Sequence, residues 1–235
     1  MNSIANSRES LMAVAVRQLT EHILSGKYHA GDFLPTEIEF SKMLQIGRST
    51  IREAISILEF QGLLKRRHGK GLEFMDNSMQ GASQMLEICL GREDSTYLEL
   101  LEVRRLYEVH AASLAAKKAR KSDLQNMKLA LDKMLNENST RDDYRQADYD
   151  FHLAVAKTSQ NSILVFITKL FQSTLLSAID TTIEDEKLKP EQTHSFHKAI
   201  YDAIASGDPK RAERAMLNHL KGTEKLLKSS NLTHF

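Results

Sequence analysis

Helix breakers are scarce in this chain: three prolines and ten glycines in 235 residues. Proline removes a backbone donor and glycine carries a large entropic cost in a helix, so such a chain favours long uninterrupted helices over many short strands. Where glycines do crowd together, at Gly62, Gly69 and Gly71, the pattern changes. From Asp76 onward no alternating strand pattern occurs. A mainly α protein is therefore expected, with one small β element near its front. Trp is absent and aromatic residues make up 6%, so the cores must be built mostly from Leu, Ile, Ala and Met.

The front reads as three helices and a hairpin. Leu11, Ala15, Leu19 and Ile23 recur at steps of four and make an amphipathic helix over about 7–25, with Gly26 placed to cap it. Gly31 to Pro35 is an extended connection, because Pro35 keeps Leu34 out of the helical region. Thr36 and Glu39 form a capping box that opens a second helix ending near Leu44. Gln45, Ile46 and Gly47 turn the chain into a third helix, Arg48 to Gln61, with Ile51, Ile55 and Leu58 on one face, and Gly62 ends it. Two short apolar runs then flank His68-Gly69-Lys70-Gly71, as in a β-hairpin. Three helices and one hairpin over 1–75 are the plan of a winged helix-turn-helix that binds DNA.

The net charge is only +1, but its distribution is uneven. Between Gly47 and Gly71 six basic residues (Arg48, Arg52, Lys65, Arg66, Arg67 and Lys70) face two acidic ones, Glu53 and Glu59. Arg48, Ser49, Thr50 and Arg52 occupy the first turn of the third helix. Arg48 and Arg52 share a face, opposite the apolar stripe. Such a helix end can reach phosphates and base edges in the major groove. Arg66, Arg67, His68, Gly69 and Lys70 surround the hairpin tip with donors, as a wing lying along the backbone or minor groove requires. A solvated basic face is the competing reading, and the two elements occurring in this order count against it.

The run from Gly31-Asp32-Phe33-Leu34-Pro35-Thr36-Glu37 through Arg48-Ser49-Thr50-Ile51-Arg52-Glu53-Ala54-Ile55 to Arg67-His68-Gly69-Lys70-Gly71 resembles the DNA-binding domain of the GntR (gluconate-repressor) family. The resemblance implies Arg48, Ser49, Arg52, His68 and Gly69 as operator contacts. Two positions depart from the family pattern. Ile38 stands where many members carry a basic residue, and Gly47 stands where Ser or Thr is usual, so operator sequence is not transferable.

Behind a linker at 76–78, helical segments are expected at about 79–90, 96–119, 122–137, 141–158, 161–185, 191–206 and 209–228. Capping boxes pair Thr96 with Glu99 and Ser122 with Gln125, and Asp208-Pro209 opens the last segment. Short connections imply an all-α antiparallel bundle over 79–228, followed by a tail at 229–235. Of the nine histidines, His152, His197 and His219 lie on three different helices of this bundle. Asp148 stands one turn before His152. A carboxylate and three imidazoles suffice to hold Zn²⁺ or a similar divalent ion with positions left for water or ligand. By spacing alone, unrelated surface or core histidines remain the commoner outcome.

The same half resembles the FadR C-terminal domain, or FCD, of one large GntR subfamily. The resemblance is carried by Leu101 to Glu108, by Asp148-Tyr149-Asp150-Phe151-His152, by Ser159-Gln160-Asn161, by His197-Lys198-Ala199-Ile200, and by Gly207-Asp208 and His219-Leu220. It implies Asp148, His152, His197 and His219 as metal ligands, most simply for Zn²⁺, with Ni²⁺ or Mn²⁺ as alternatives. Arg104 and Asn161 fall in matched motifs and are candidate effector contacts. A surface salt bridge to Glu108 is the alternative for Arg104, and a helix cap is the alternative for Asn161. His194 is a candidate supporting residue or a solvent-facing one, and Asp150 should face away from the site.

An enzyme is the rival class. No His is followed by Glu or Asp, which excludes the His-Glu-x-x-His signature, and only Glu191 to His194 has the Glu-x-x-His spacing that a di-iron bundle needs twice. A helical metal-dependent hydrolase is thus disfavoured, and a bundle serving only dimerisation is a third reading. Cys89 is the sole cysteine, so no internal disulfide forms. No stretch approaches the roughly 18 apolar residues of a membrane span, and no secretory signal opens the chain, so a cytoplasmic location is expected. The reading as a whole is a homodimeric regulator, with repression the expected sign. It would bind palindromic double-stranded operator DNA and respond to a small organic-acid or sugar-acid effector.

Overall fold

In the computed structural model the described residues are 10–75, 78–92, 96–135, 140–171 and 190–229. The chain divides into two compact units, Met1–Ala82 and Ser83–Phe235.

In the first unit, α1 (Leu11–Ile23) starts at Ser10, whose hydroxyl accepts a bond from the Ala13 amide at 3.1 Å. Its buried residues are Ala15, Leu19 and Ile23, the stripe expected from the steps of four. It ends at Ile23, slightly short of the expected position, and residues 7–9 lie outside the described residues. A second helix, α2 (Glu37–Leu44), opens with the Thr36–Glu39 capping box, both bonds of which are formed. Gln45 then takes a left-handed φ of 55°, Ile46 buries, and α3 (Arg48–Phe60) begins.

At the far end of α3, Gly62 has φ +75°, a conformation that costs glycine nothing. The Gly62 amide bonds the Glu59 carbonyl at 3.0 Å, and the Leu63 amide bonds the Leu58 carbonyl at 2.9 Å. This is a Schellman motif, with Leu58 and Leu63 both buried in the same core. The chain passes directly into β2 (Leu64–Arg67), turns through Gly69 at φ +70°, and returns as β3 (Gly71–Phe74). The Lys70 amide closes that turn on the Arg67 carbonyl at 3.0 Å.

The wing is larger than the expected hairpin. The connection before Pro35 contributes β1 (Phe33–Leu34), which pairs antiparallel with β3, Phe33 opposite Glu73 and Leu34 opposite Leu72. The sheet order is therefore β1-β3-β2, with β3 in the middle. Leu34, Leu72 and Phe74 join Phe40, Ile51, Ile55 and Leu58 in one core under the sheet.

Beyond it the elements formed by the described residues are helices. The elements are α4 (Ser78–Arg92), α5 (Tyr97–Lys118), α6 (Lys121–Met134), α7 (Arg141–Thr158), α8 (Ser162–Leu170), α9 (Pro190–Ala205) and α10 (Pro209–Ser229). The first residues of α4 fall in the first unit. Ser78, expected in the linker, already belongs to α4, while Asp76 and Asn77 lie outside the described residues. Capping boxes form at Thr96 with Glu99 and at Thr140 with Asp143.

Three expectations are corrected. α6 starts one residue early, with the Asp123 carboxylate accepting from the Arg120 amide at 2.9 Å, so Ser122 and Gln125 do not form its box. It also stops at Met134 rather than 137, and residues 136–139 lie outside the described residues. α8 ends at Leu170 with Phe171 as its C-cap, so the helix expected over 161–185 is not continuous, and 172–189 lie outside the described residues.

The central helix is α5, which packs against α7, α8, α9 and α10. Its buried residues, among them Tyr97, Leu101, Arg104, Glu108, Ala111 and Ala115, recur at steps of three and four along one broad face, while Val103, Leu106 and His110 on the opposite face are exposed. Ala111, Ala112, Ala115 and Ala116 let the neighbours approach closely, and Met127, Phe151, Ile200, Ile204, Met216 and Leu220 complete the core. Among the described residues no helix is long and apolar enough to cross a membrane. Cys89, on α4, is an exposed free thiol.

Candidate nucleic-acid interface and metal centre

In the first unit the basic residues lie where sequence placed them, on the exposed start of α3 and around the wing. Arg48, Ser49 and Arg52 are exposed and Thr50 is half-buried, while His68, Gly69 and Lys70 form the exposed wing tip. The start of α3 carries no side-chain cap, since Gly47 has none to offer, which leaves backbone amides able to meet an anion. Several of the arginines already have partners. Arg52 Nε bonds Glu37 Oε2 at 3.0 Å, Arg67 pairs with Glu73, and Arg66 bonds Glu59 Oε2 at 2.5 Å and Glu37 Oε1 at 3.2 Å. The exposed Arg67–Glu73 pair raises the arginine pKa and lowers that of the carboxylate.

In the second unit, α7 presents Asp148 and His152 one turn apart, α9 presents His197, and α10 presents His219. All four side chains are buried. The Nε2 atom of His152 lies 3.3 Å from that of His197 and 3.2 Å from that of His219. Two nitrogens bound to one tetrahedral metal at about 2.1 Å stand about 3.4 Å apart. The Asp148 carboxylate lies beside the histidines, 3.1 Å from His197 Nε2 and 3.9 Å from His152 Nε2. The phenyl ring of Phe151 meets the His197 ring edge-on, with centroids 5.0 Å apart.

Sequence reasoning missed the group behind His152. Glu108, on α5, places Oε2 2.5 Å from His152 Nδ1, and its Oε1 accepts from Arg104 Nε at 2.5 Å. The Arg104–Glu108 pair foreseen on the surface is thus formed but buried, with about 4% of each side chain exposed. Only the i,i+4 spacing hinted at Glu108, and nothing in the sequence linked it to His152.

These contacts fix the chemistry. In the tautomer that points an Nδ1 proton toward Glu108, His152 turns the lone pair of Nε2 toward the other two rings. Nδ1 of His197 is buried without a hydrogen-bond partner. Burial, reinforced by His197, His152 and Arg104, pushes the His219 pKa well below its ordinary value, which favours the neutral form that a metal requires. Burial alone would raise the Asp148 pKa, but His197, His152 and Arg104 outweigh it and pull it down to about 2. Glu108 is likewise depressed against its burial, by Arg104 and His152. A buried N₃O donor set with converging lone pairs fits a divalent ion, and His152, His197 and His219 form a group that could hold one.

The structure also places Asn161, Asp150 and His194. The Asn161 Oδ1 accepts from the amides of Ile163 and Leu164 at 3.0 and 3.3 Å, so this residue serves as the N-cap of α8. Asp150 bonds Gln146 at 2.8 Å and lines a surface groove of about 300 Å³ with Asp123 and Lys133. His194 is half-buried, and its pKa is lowered by burial and by His197.

A basic winged helix-turn-helix followed by a helical unit with a buried histidine cluster defines a DNA-binding transcription regulator rather than an enzyme. Residues 11–74 match the gntR family of bacterial regulatory proteins, and residues 99–222 match the FCD domain. The chain belongs to this family and, by its second domain, to the FadR-like subfamily. It is 34% identical over 209 residues to the HTH-type transcriptional regulator LutR of Bacillus subtilis, covering 87% of this chain and 95% of the relative. It is 31% identical over 223 residues to the Uxu operon transcriptional regulator of Escherichia coli, covering 89% and 84%. The Glc operon transcriptional activator of Escherichia coli is 26% identical over 231 residues, covering 94% and 91%. Among solved structures, Streptococcus agalactiae GntR shares the fold with a TM-score of 0.72 at 22% identity, over 91% of this chain and 99% of that one.

Proposed function

We propose that this protein regulates transcription in the cytoplasm as a homodimer, with a small carboxylate controlling its affinity for a palindromic operator. The winged domain over 1–75 reads the DNA, the helical domain over 79–228 senses the ligand, and 76–78 link them. Arg48, Ser49, Thr50 and Arg52 meet the major groove, while Arg67, His68, Gly69 and Lys70 follow the backbone from the wing. Asp148, His152, His197 and His219 hold a divalent ion, Zn²⁺ being the simplest match to three imidazoles and one carboxylate. When bound, the ion supplies a Lewis-acidic centre with open positions that a carboxylate can occupy.

The buried cluster of three histidines around Asp148 carries the sensing half of this reading. Charge supports the ligand class. Arg104 and Glu108 cancel, and one divalent ion with Asp148 leaves a single positive charge, which an organic-acid or sugar-acid carboxylate neutralises. Arg104, held through Nε by Glu108, is the effector contact we propose. Ligand affects DNA binding only through different affinities for the two states of the dimer. Relief of repression is the sign we propose. Relatives named for the uxu and glc operons support control of metabolic genes, and one of them is named an activator.

The test begins with metal content of the purified protein by mass spectrometry. Fluorescence anisotropy on a palindromic duplex selected from a random library follows, with and without a panel of hydroxy acids and sugar acids. Bound metal and a ligand-dependent change in affinity are expected. Metal-free protein that cannot be loaded with Zn²⁺, Ni²⁺ or Mn²⁺ would refute the sensing half, and the absence of any selected duplex would refute the reading half.

A further inference from the structure

Two carboxylates at the start of α2 have different partners. Glu39 turns back to Thr36, accepting from its amide and hydroxyl at 2.8 Å each, and completes the capping box. Glu37 takes no part in that cap. It reaches instead to α3 and the wing, where Oε2 accepts from Arg52 Nε at 3.0 Å and Oε1 accepts from Arg66 Nη2 at 3.2 Å.

The two arginines on Glu37 are not held alike. Both terminal nitrogens of Arg66 are engaged: Nη1 by Glu59 Oε2 at 2.5 Å and Ser56 Oγ at 3.3 Å, and Nη2 by Glu37 and the Arg52 carbonyl at 3.3 Å. The Arg66 amide also bonds Glu59 Oε1 at 2.8 Å. Arg52 is held only at Nε. Among the described residues no protein group bonds its terminal nitrogens, and 67% of its side chain is exposed. The fork formed by Nη1 and Nη2 is the part of arginine that matches the paired acceptors O6 and N7 on the major-groove edge of guanine.

We propose that Glu37 is the positioning residue for base readout. It fixes the guanidinium of Arg52 at one edge, which leaves the terminal fork pre-aimed at a guanine, and it joins that arginine to a strut, Arg66, which fixes the wing to α3. On this assignment Arg66 is not a DNA contact. Pre-aiming favours the correct base pair because the side-chain order is already present before DNA arrives. The negative charge of Glu37 also lowers the attraction of any DNA docked without that guanine contact. Glu37 therefore sharpens selectivity while weakening indiscriminate binding.

This inference rests on Arg52 as a base-reading residue, and the experiment separates the two. The intact wild-type protein selects a duplex from a random-sequence library. Affinities for that duplex and for a random duplex are then compared for wild type, Arg52→Ala, Glu37→Gln and Glu37→Asp over a series of salt concentrations. Arg52→Ala should lower the selected-to-random ratio by about tenfold or more, the discrimination lost at one base pair. Glu37→Gln, which loses the charge, and Glu37→Asp, which loses the reach, should lower the ratio by a similar factor. Random-duplex affinity should hold or rise. A role confined to folding would weaken both affinities together.

Arg66→Met should leave the salt dependence unchanged, whereas loss of a phosphate contact would reduce its slope by about one. An unaltered ratio in both Glu37 variants, with Arg52→Ala selectivity lost, would overturn the role of Glu37 alone. An unaltered ratio in Arg52→Ala would overturn the base-reading assignment itself.

Discussion

The protein contains the same ionic pair in two settings. On the reading head, Arg52 and Glu37 meet at 3.0 Å with 67% and 25% of their side chains exposed. In the helical unit, Arg104 and Glu108 meet at 2.5 Å with about 4% exposed. Water screens the first pair, so it contributes little to stability and serves mainly to aim a side chain. The second has lost its hydration and is tolerable only while both members remain. Charges held at a surface suit a polyanion that arrives from outside. Charges enclosed with three imidazoles and a second carboxylate suit something that must enter.

Removing one member of the buried pair should have the largest effect. Glu108→Ala leaves Arg104 uncompensated and is expected to destabilise the helical unit by about 3–5 kcal/mol in urea unfolding. The double replacement Arg104→Met with Glu108→Leu should recover most of that loss. A Glu108→Ala cost as small as that of an exposed pair would erase the contrast. Next comes the ion. At a free metal concentration about a hundredfold above Kd, loading should stabilise the protein by about 2.7 kcal/mol. Hydrogen exchange monitored by mass spectrometry should then show α5 and α7 protected while α3 is unchanged, and equal protection in both units would count against a centre confined to the bundle.

Acid should separate the units without any substitution. The pKa of His219 is held below its ordinary 6.5 in the fold, so the unfolded chain takes up that proton first. This contribution is present above pH 6.5 and is lost as pH falls below it, with a limiting slope of about 1.4 kcal/mol per pH unit for one proton. Metal-free protein followed by exchange should lose protection in α10 as the pH drops from 7 to 5, and a flat profile there would contradict the assignment. The smallest effect is expected on the reading head. A double-mutant cycle on Arg52 and Glu37 should give a stability coupling under about 1 kcal/mol, and a much larger value would place that pair with the buried one.

The reading head was more legible in sequence than the bundle's interior. The Thr36–Glu39 box, the Gly62 stop and the glycine-bearing hairpin are local signals, and local geometry decides them. β1 escaped because two residues are too few to show alternation. The start of α6 was misplaced because two overlapping cap patterns compete there, and the end of α8 because no glycine or proline marks it. The histidines belong to helices 45 and 67 residues apart in sequence, so spacing alone left them ambiguous and the family resemblance singled them out. Glu108 resisted both approaches, since its role depends on how α7 packs over α5, which no periodicity in either helix encodes.

The glycine turn closing α3 also limits how this region can drift over evolutionary time. Leu58, Glu59, Gly62 and Leu63 are locked together by the turn, and Glu59 then fastens β2 through Arg66. Each residue added to a helix rotates everything after it by about 100°. A single-codon insertion or deletion within α3 would swing Glu59 away from the wing and carry Leu58 out of the core. Exchange of side chains at fixed helix length leaves this turn and its hold on the wing in place, whereas a change of length does not.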